Sequence, residues 1–452
     1  MSFEKRTIAV LEEALNSLDE GFSDLPPFEP SVDVDQVRSC LAEVARRMRN
    51  NYPYHHPFYL GQMLKPPHPV ARAAYALSLW INPNNHALDG GRCSSAMEKE
   101  AVAEIARMFG WETHLGHLTG GGTLANLEAL WVSGKLHPGR AIVASEQAHY
   151  THARISGVLG IPFREVACDG SGRMSLPALR AIVEECDVGT VVVTVGTTAT
   201  GAVDPLPEVL ALGQRHGFRV HVDGAYGGYF RLADNLAPGT RATYDRLAHA
   251  DSIVVDPHKH GLQPYGCGCV LFRDPAIGRF YKHESPYTYF TSSDLHLGEI
   301  SLECSRAGAS AVALWATQRA LPLAAGGQFA RELARCRQAA LELVLRLQAD
   351  GRHVVPFPPE LDIVVFAPRA RSASRVSRLT EALFHETARE GLHLAKAVLP
   401  RSLFADAWPD LAWDEDHLTS LRTCLMKPEH LDWLGTIWET YRAVADRVLD
   451  ER

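Results

Sequence analysis

The segment Asp251-Ser252-Ile253-Val254-Val255-Asp256-Pro257-His258-Lys259-His260-Gly261 sets a short β-branched run directly before a cluster of charged and cation-capable side chains. Such a run, bounded by polar residues, reads as a buried strand. It would deliver Lys259 to the strand's carboxyl end. A lysine attacks an aldehyde only as the neutral amine, and His258 and His260 beside it are expected to favour that form. Standing alone, a lysine after a strand is more often an ordinary surface residue.

Working outward, similar runs recur at Ile142-Val143-Ala144, Val191-Val192-Val193-Thr194-Val195 and Val220-His221-Val222. Apolar helical stretches at 98–109, 123–134, 176–185 and 206–215 lie between them. This alternation predicts an α/β architecture, a mostly parallel sheet with helices on both faces. Ligands of such sheets bind at the strands' carboxyl ends, so the residues just after each run carry the functional reading.

One of those runs ends His221-Val222-Asp223-Gly224-Ala225. A carboxylate there can pair with a pyridinium nitrogen, and Lys with Asp is the pairing that makes pyridoxal phosphate an electron sink. The small Gly224 and Ala225 would let a flat ring approach. Alone, an aspartate at this position is more often a helix cap or turn residue. Upstream, Gly120-Gly121-Gly122-Thr123 opens a helix, where free N–H groups and the helix dipole suit a phosphate. The run has neither the Lys-Ser/Thr ending of a Walker loop nor the spacing of a dinucleotide fingerprint. A glycine-rich turn is also a common helix entry. His149 follows the strand candidate Ala141–Ser145, placed to stack on a ring. His149 with His152 could instead be a metal pair or a cap, but no third ligand of zinc spacing accompanies them, nor Cys267-Gly268-Cys269, so no metal is expected.

Taken together, these motifs resemble the family of PLP-dependent amino-acid decarboxylases of the aromatic, tyrosine, glutamate and aspartate type. The likeness runs in order through Pro67-His68-Pro69, Ser145-Glu146-Gln147-Ala148-His149, Val195-Gly196-Thr197-Thr198-Ala199-Thr200-Gly201-Ala202-Val203-Asp204, His221-Val222-Asp223, Asp256-Pro257-His258-Lys259 and Glu303-Cys304-Ser305-Arg306-Ala307-Gly308. The resemblance implies a PLP-dependent transferase fold of type I, with Lys259 as the Schiff-base lysine, Asp223 as the pyridinium partner, His149 stacked on the ring and Ala225 beneath it. It further implies Gly121, Gly122, Thr123, Thr198 and His258 around the cofactor, with Ser305 and Arg306 reaching a phosphate, across a subunit interface or within the subunit. Tyr287 and Tyr289 are candidates for the tyrosine that protonates the reacting carbon in this family, and His149 is another. Aromatic packing is an equal reading of both tyrosines. Gly120 and Leu124 stand where relatives often have Ser and Glu, and Gly224 where Ala is usual.

The implied activity is decarboxylation of an L-amino acid to its amine and carbon dioxide, a carboxy-lyase reaction whose selectivity is an effect of orientation. Phe58 and Tyr59 are expected to line the substrate pocket and favour a tyrosine-like side chain, although they could be packing of the amino-terminal arm. Arg422 could anchor an acidic substrate or pair at a domain junction. Aspartate or glutamate decarboxylation, aminotransfer and carbon–carbon lysis remain the alternatives on this fold.

The 452 residues divide into an amino-terminal helical arm (1–60), a large cofactor-binding domain (61–325) and a small α+β domain (326–452). Two short helices around a Pro-rich connector hold too little core to stand alone. The arm is therefore expected to pack on the body or on a second subunit, and the family's homodimers with shared sites and swapped arms imply the latter. With 46% hydrophobic and 22% charged residues the chain reads as globular, and a net charge of −8 without a basic run argues against nucleic acid. Acids in the first residues and the lack of a long apolar run argue against a signal peptide or a membrane span. Nine scattered cysteines read as reduced thiols, which makes the cytoplasm the expected compartment.

Overall fold

The computed structural model describes residues 6–88, 90–282 and 301–450. Four helices come first: α1 (Arg6–Glu20), α2 (Val34–Met48), α3 (Pro69–Leu79) and α4 (Arg92–Met108). The large sheet is then laid down with its helices: β1 (Leu115–Thr119), α5 (Gly122–Leu136), β2 (Ala141–Ser145), α6 (Thr151–Leu159), β3 (Phe163–Val166), α7 (Leu176–Glu185), β4 (Val188–Thr194), α8 (Leu206–His216), β5 (Arg219–Asp223), α9 (Pro238–Asp245), β6 (Ser252–Val255) and β7 (Gly268–Phe272).

Its strand order is β1-β7-β6-β5-β4-β2-β3. Strands β2 to β6 run parallel, and β7 is antiparallel to both neighbours. The residues of β4 are all buried, as expected of a strand covered on both faces. Val191 and Val193 join Val220, Val222, Ile253 and Val255 in one core. The alternate Val192 packs instead with Ile142, Ala144, Ile155 and Leu130 under α5 and α6. The period of two thus sorts one valine run into two helical layers. Register pairs Thr194 with Asp223 and Asp223 with Val254, which aligns the carboxyl ends of β4, β5 and β6 along one edge.

The chain continues through α10 (Gly308–Ala320) and the long α11 (Gln328–Asp350) into β8 (His353–Val354), β9 (Ile363–Pro368), α12 (Ala373–Arg389), β10 (Ala395–Pro400), β11 (His417–Cys424) and α13 (Glu429–Asp450). These four strands form an antiparallel sheet ordered β10-β11-β9-β8. Helices α11 and α13 share a core with it.

The α/β expectation holds, and the anticipated strands appear as β2, β4, β5 and β6. Strand β7 was not anticipated, because Gly268 weakens the strand pattern of its sequence. In the arm, α1 and α2 contain no buried residue. Val34, Val37, Leu41, Val44 and Met48 form an exposed stripe along α2, spaced alternately three and four residues apart. No helix among the described residues is long and apolar enough to cross a membrane.

Candidate active site

Strand β5 presents Arg219, His221 and Asp223 on one face and Val220 and Val222 on the other. The valines anchor the strand in the core. On the polar face His221 is held from both sides, its Nε2 2.8 Å from Asn126 Oδ1 on α5 and its Nδ1 2.8 Å from Ser252 Oγ on β6. Asp223, only 4% exposed, then ends the strand at the floor of a cavity of about 550 Å³. One carboxylate oxygen lies 2.9 Å from His152 Nε2, and the other accepts the Ala225 N–H at 3.0 Å. Burial alone would raise this carboxyl, but the His152 hydrogen bond and charge, with the Ala225 N–H, hold it well below the usual carboxylate range. Asp223 is a fixed negative charge.

From β6 the chain delivers Lys259 to the same cavity, with its Nζ 3.0 Å from Asp256 Oδ2. The two neighbouring histidines do not surround the amine as the sequence suggested. His260 turns to the buried Asp362, 3.2 Å away. The His258 ring is fixed by Nδ1, 2.7 Å from the Cys267 carbonyl oxygen, and its Nε2 lies 3.6 Å from Asp256 Oδ2. Asp256 is itself buried, and its Oδ1 has no hydrogen-bond partner among the described residues.

The third wall is the entry to α5. Gly121 has φ +151°, a conformation that L side chains rarely adopt. A Cβ on Gly122 would come within 2.7 Å of the Asp256 carboxylate. Gly122 and Thr123 line the cavity, and their N–H groups belong to the first turn, which a helix cannot satisfy internally. At Gly120 the N–H donates to Glu303 Oε2 at 2.9 Å, and a Cβ there would meet Oε1 at 2.9 Å, so a bulkier residue would displace this contact.

His149, Thr198 and Ala225 also line the cavity. Burial pushes the His149 imidazole down, which favours its neutral form. Its Nδ1 accepts the Thr151 N–H at 3.3 Å. Lys259, Asp223, His149, Gly121, Gly122, Thr123, Thr198, Ala225 and His258 are thereby gathered into one cavity.

Other candidates are placed elsewhere. Phe58 packs on Trp433, with ring centroids 5.9 Å apart, and belongs to the core of the smaller sheet. Tyr59 is 4% exposed among Tyr52, Tyr54 and His393. Neither lines the cavity, because the arm's exit uses them as apolar packing against the carboxyl-terminal segment. Arg306 is likewise consumed within the body, donating to Glu98 at 2.6 Å and to the carbonyls of Leu118 and Asn85 at 2.8 and 2.9 Å. Ser305 is exposed and accepts from Asn84 Nδ2 at 3.1 Å, outside the cavity lining. Tyr287 and Tyr289 lie outside the described residues. Among the described residues no cluster of metal-binding side chains occurs, and His152 serves Asp223 rather than a metal.

Sequence reasoning missed His152, Asp256, Glu303, Tyr226 and Tyr265 as parts of this site. His152 stands one helical turn after His149, a spacing that placed both near the same edge. The spacing did not indicate which of the two would reach Asp223.

The residues present fit pyridoxal phosphate. The cavity is of small-ligand size. Its lining offers first-turn N–H groups and His258 for a phosphate, the ionised carboxylate of Asp223 for a ring nitrogen, and the Lys259 amine for an aldehyde. The buried Thr194 Oγ1 in its lining is without a partner among the described residues, as is Asp256 Oδ1, leaving polar atoms for a ligand to satisfy.

Residues 129–369, more than half of the chain, match the pyridoxal-dependent decarboxylase conserved domain. The chain is 30% identical to a probable L-tyrosine/L-aspartate decarboxylase of Methanothermobacter thermautotrophicus, over 68% of this chain and 82% of that protein. It is 27% identical to the L-tyrosine decarboxylase of Levilactobacillus brevis over 66% of this chain, spanning 63% of that protein's length. It is 31% identical to a probable L-aspartate decarboxylase of Halobacterium salinarum, over 68% and 81% of the two chains. Among solved structures, an Oryza sativa TDC with PLP and tryptamine superposes with a TM-score of 0.76 at 17% identity, covering 98% of this chain and 99% of that one. Mouse CSAD in apo form gives 0.76 at 21% identity, over 93% and 91%. At these identities the superpositions speak for the fold.

Proposed function

This chain belongs to the pyridoxal-dependent decarboxylase family, and from that premise we propose that it decarboxylates an L-amino acid with an aromatic, tyrosine-like side chain. The coarser activity, pyridoxal-phosphate-dependent decarboxylation of an amino acid, follows from the family itself. The observation that carries the finer reading is the cavity lining. Leu124, Leu127, Tyr226 and Tyr265 supply apolar and aromatic wall, and among the described residues Lys259 is the only lysine or arginine that lines it. With Lys259 given to the cofactor, no permanent cation is left in that wall for a side-chain carboxylate.

Bound pyridoxal phosphate supplies an electrophilic aldehyde and a protonated ring nitrogen that draws in the electron pair freed when the carboxylate leaves. Lys259 is the amine that would hold it, Gly121, Gly122, Thr123 and His258 would hold its phosphate, and Thr198 and Ala225 would border the ring. Asp223 keeps a negative charge at the cavity floor through His152 and the Ala225 N–H, which favours a proton on the facing nitrogen. His149 offers a flat neutral ring for stacking. The proton returned to the α-carbon is assigned to His149, Tyr287 or Tyr289.

A second reading, an acidic side chain, is favoured by one observation. Arg422 on β11 is 4% exposed, and its Nε and Nη2 have no hydrogen-bond partner among the described residues. Buried guanidinium N–H groups left without acceptors are costly, and a substrate carboxylate would answer them. Arg422 does not itself line the cavity, so this reading ranks second.

Separate incubation of the loaded enzyme with each of the twenty amino acids, with carbon dioxide and amine measured, tests the proposal. Tyrosine or another aromatic amino acid is expected to give the highest turnover. Preference for aspartate or glutamate, lost in Arg422→Gln, would transfer the assignment to the acidic reading. A keto acid or an aldehyde as the main product would contradict decarboxylation.

The assembly is proposed to be a homodimer. The exposed apolar stripe of α2 and the exposed Ser305 support this, the latter as a candidate for the partner subunit's cofactor site. Nine free cysteines fit a reducing compartment such as the cytoplasm.

A further inference from the structure

A second cavity, of about 520 Å³, opens on the carboxyl-terminal part of the chain and shares no lining residue with the catalytic one. Its wall carries Arg352, Arg369, Arg371 and Arg375, and among the described residues no carboxylate lines it. Four guanidiniums around one hollow run against the charge of a chain that is net −8.

Local structure explains how they converge. Gly351, in the left-handed region at φ +74°, ends α11 and turns the chain into β8. The Arg369 N–H donates to the Arg352 carbonyl at 2.7 Å, setting these two side by side at the ends of β9 and β8. Arg371 and Arg375 flank Ser372, the N-cap of α12. A cation in the first turn of a helix opposes the helix dipole, so these positions are unfavourable unless an anion answers them.

Only part of the charge is answered within the chain. Arg352 pairs with Asp350 and Asp446, each at 2.8 Å. Arg369 donates to the Gly351 carbonyl at 3.1 Å and lies 6.0 Å from the Trp408 ring. Neither Arg369, Arg371 nor Arg375 has an ion pair among the described residues. The first-turn N–H groups of α12 are already taken by the Ala412 carbonyl, the Asp414 carboxylate and the Ser372 carbonyl, so recognition falls to the side chains.

We propose that this cavity binds a small phosphate-bearing anion of two or more charges. Guanidinium forks meet phosphoryl oxygens in pairs of charge-assisted hydrogen bonds. The volume is that of a small-molecule site, and Leu379 and Leu449 give an apolar side for an organic remainder.

The test is calorimetric titration of the holoenzyme, whose catalytic phosphate cradle is filled, at physiological salt with pyrophosphate, ADP and citrate. Saturable binding of pyrophosphate or ADP, one per chain and tighter than citrate, is expected. Tighter binding of ADP than of pyrophosphate assigns the site to organic phosphates, and equal binding assigns it to the phosphoryl group alone. Arg371→Gln combined with Arg375→Gln should weaken binding by about tenfold or more, since one charge-assisted hydrogen bond is worth roughly that factor. The same variant should keep the decarboxylation rate and the thermal midpoint. No saturable binding, binding unmoved by the double substitution, or citrate bound as tightly as the phosphates would overturn the proposal.

Discussion

Asp223 combines a buried carboxylate with a depressed titration point, and the combination depends on His152. With His152→Leu, burial would act on the carboxyl against only the Ala225 N–H and the Lys259 charge, and would raise it. A carboxyl lowered in the folded state contributes stability above its unfolded value of about 3.9, lost as pH falls through the folded value. Asp223 therefore stabilises the wild-type fold throughout the neutral and mildly acidic range. In His152→Leu the acid limb of kcat/KM should move toward neutral pH, and removing one partner of a buried pair should cost about 3–5 kcal/mol of stability. An unchanged pH profile would show that another group sets the charge of Asp223. At this scale Asp223 and Lys259 were legible because each ends an apolar run in a strand-end pattern. His152 and Asp256 were not, because their roles arise from contacts that only the folded chain makes. Phe58 and Tyr59 misled for a related reason, since an aromatic ring packs a core as readily as it lines a pocket.

Among the elements, α2 is the one whose surface is least accounted for by this chain. Val34, Val37, Leu41, Val44 and Met48 follow the three-four spacing of a helix-packing seam, yet every one is exposed. Leu41→Glu with Val44→Glu should convert the proposed dimer to a monomer in sedimentation velocity, with turnover falling in parallel if the sites are shared. A dimer of unchanged mass would remove the arm from the interface. Element types in the large sheet were legible where the strands are continuous β-branched runs buried on both faces, as in β4. Strands β1, β3, β7 and β10 were not anticipated, because glycine, charged residues or proline dilute their patterns: β3 is Phe-Arg-Glu-Val and β7 begins with Gly268.

Across the whole molecule, a mostly parallel sheet brings the ends of β4, β5 and β6, the entry to α5 and the turn before α6 to one cavity. This convergence would hold pyridoxal phosphate through Lys259, with Asp223 as the partner of its ring nitrogen. The order of motifs along the sequence carried that much. The Arg-lined hollow in the carboxyl-terminal part did not declare itself, because its four arginines converge from two strand ends and a helix entry. The most direct measurement is borohydride reduction of the loaded protein followed by proteolysis and peptide mass spectrometry. The account requires a pyridoxyl group on the peptide containing Lys259, absent from Lys259→Ala. A pyridoxyl group on another lysine, or none on the reduced protein, would contradict it.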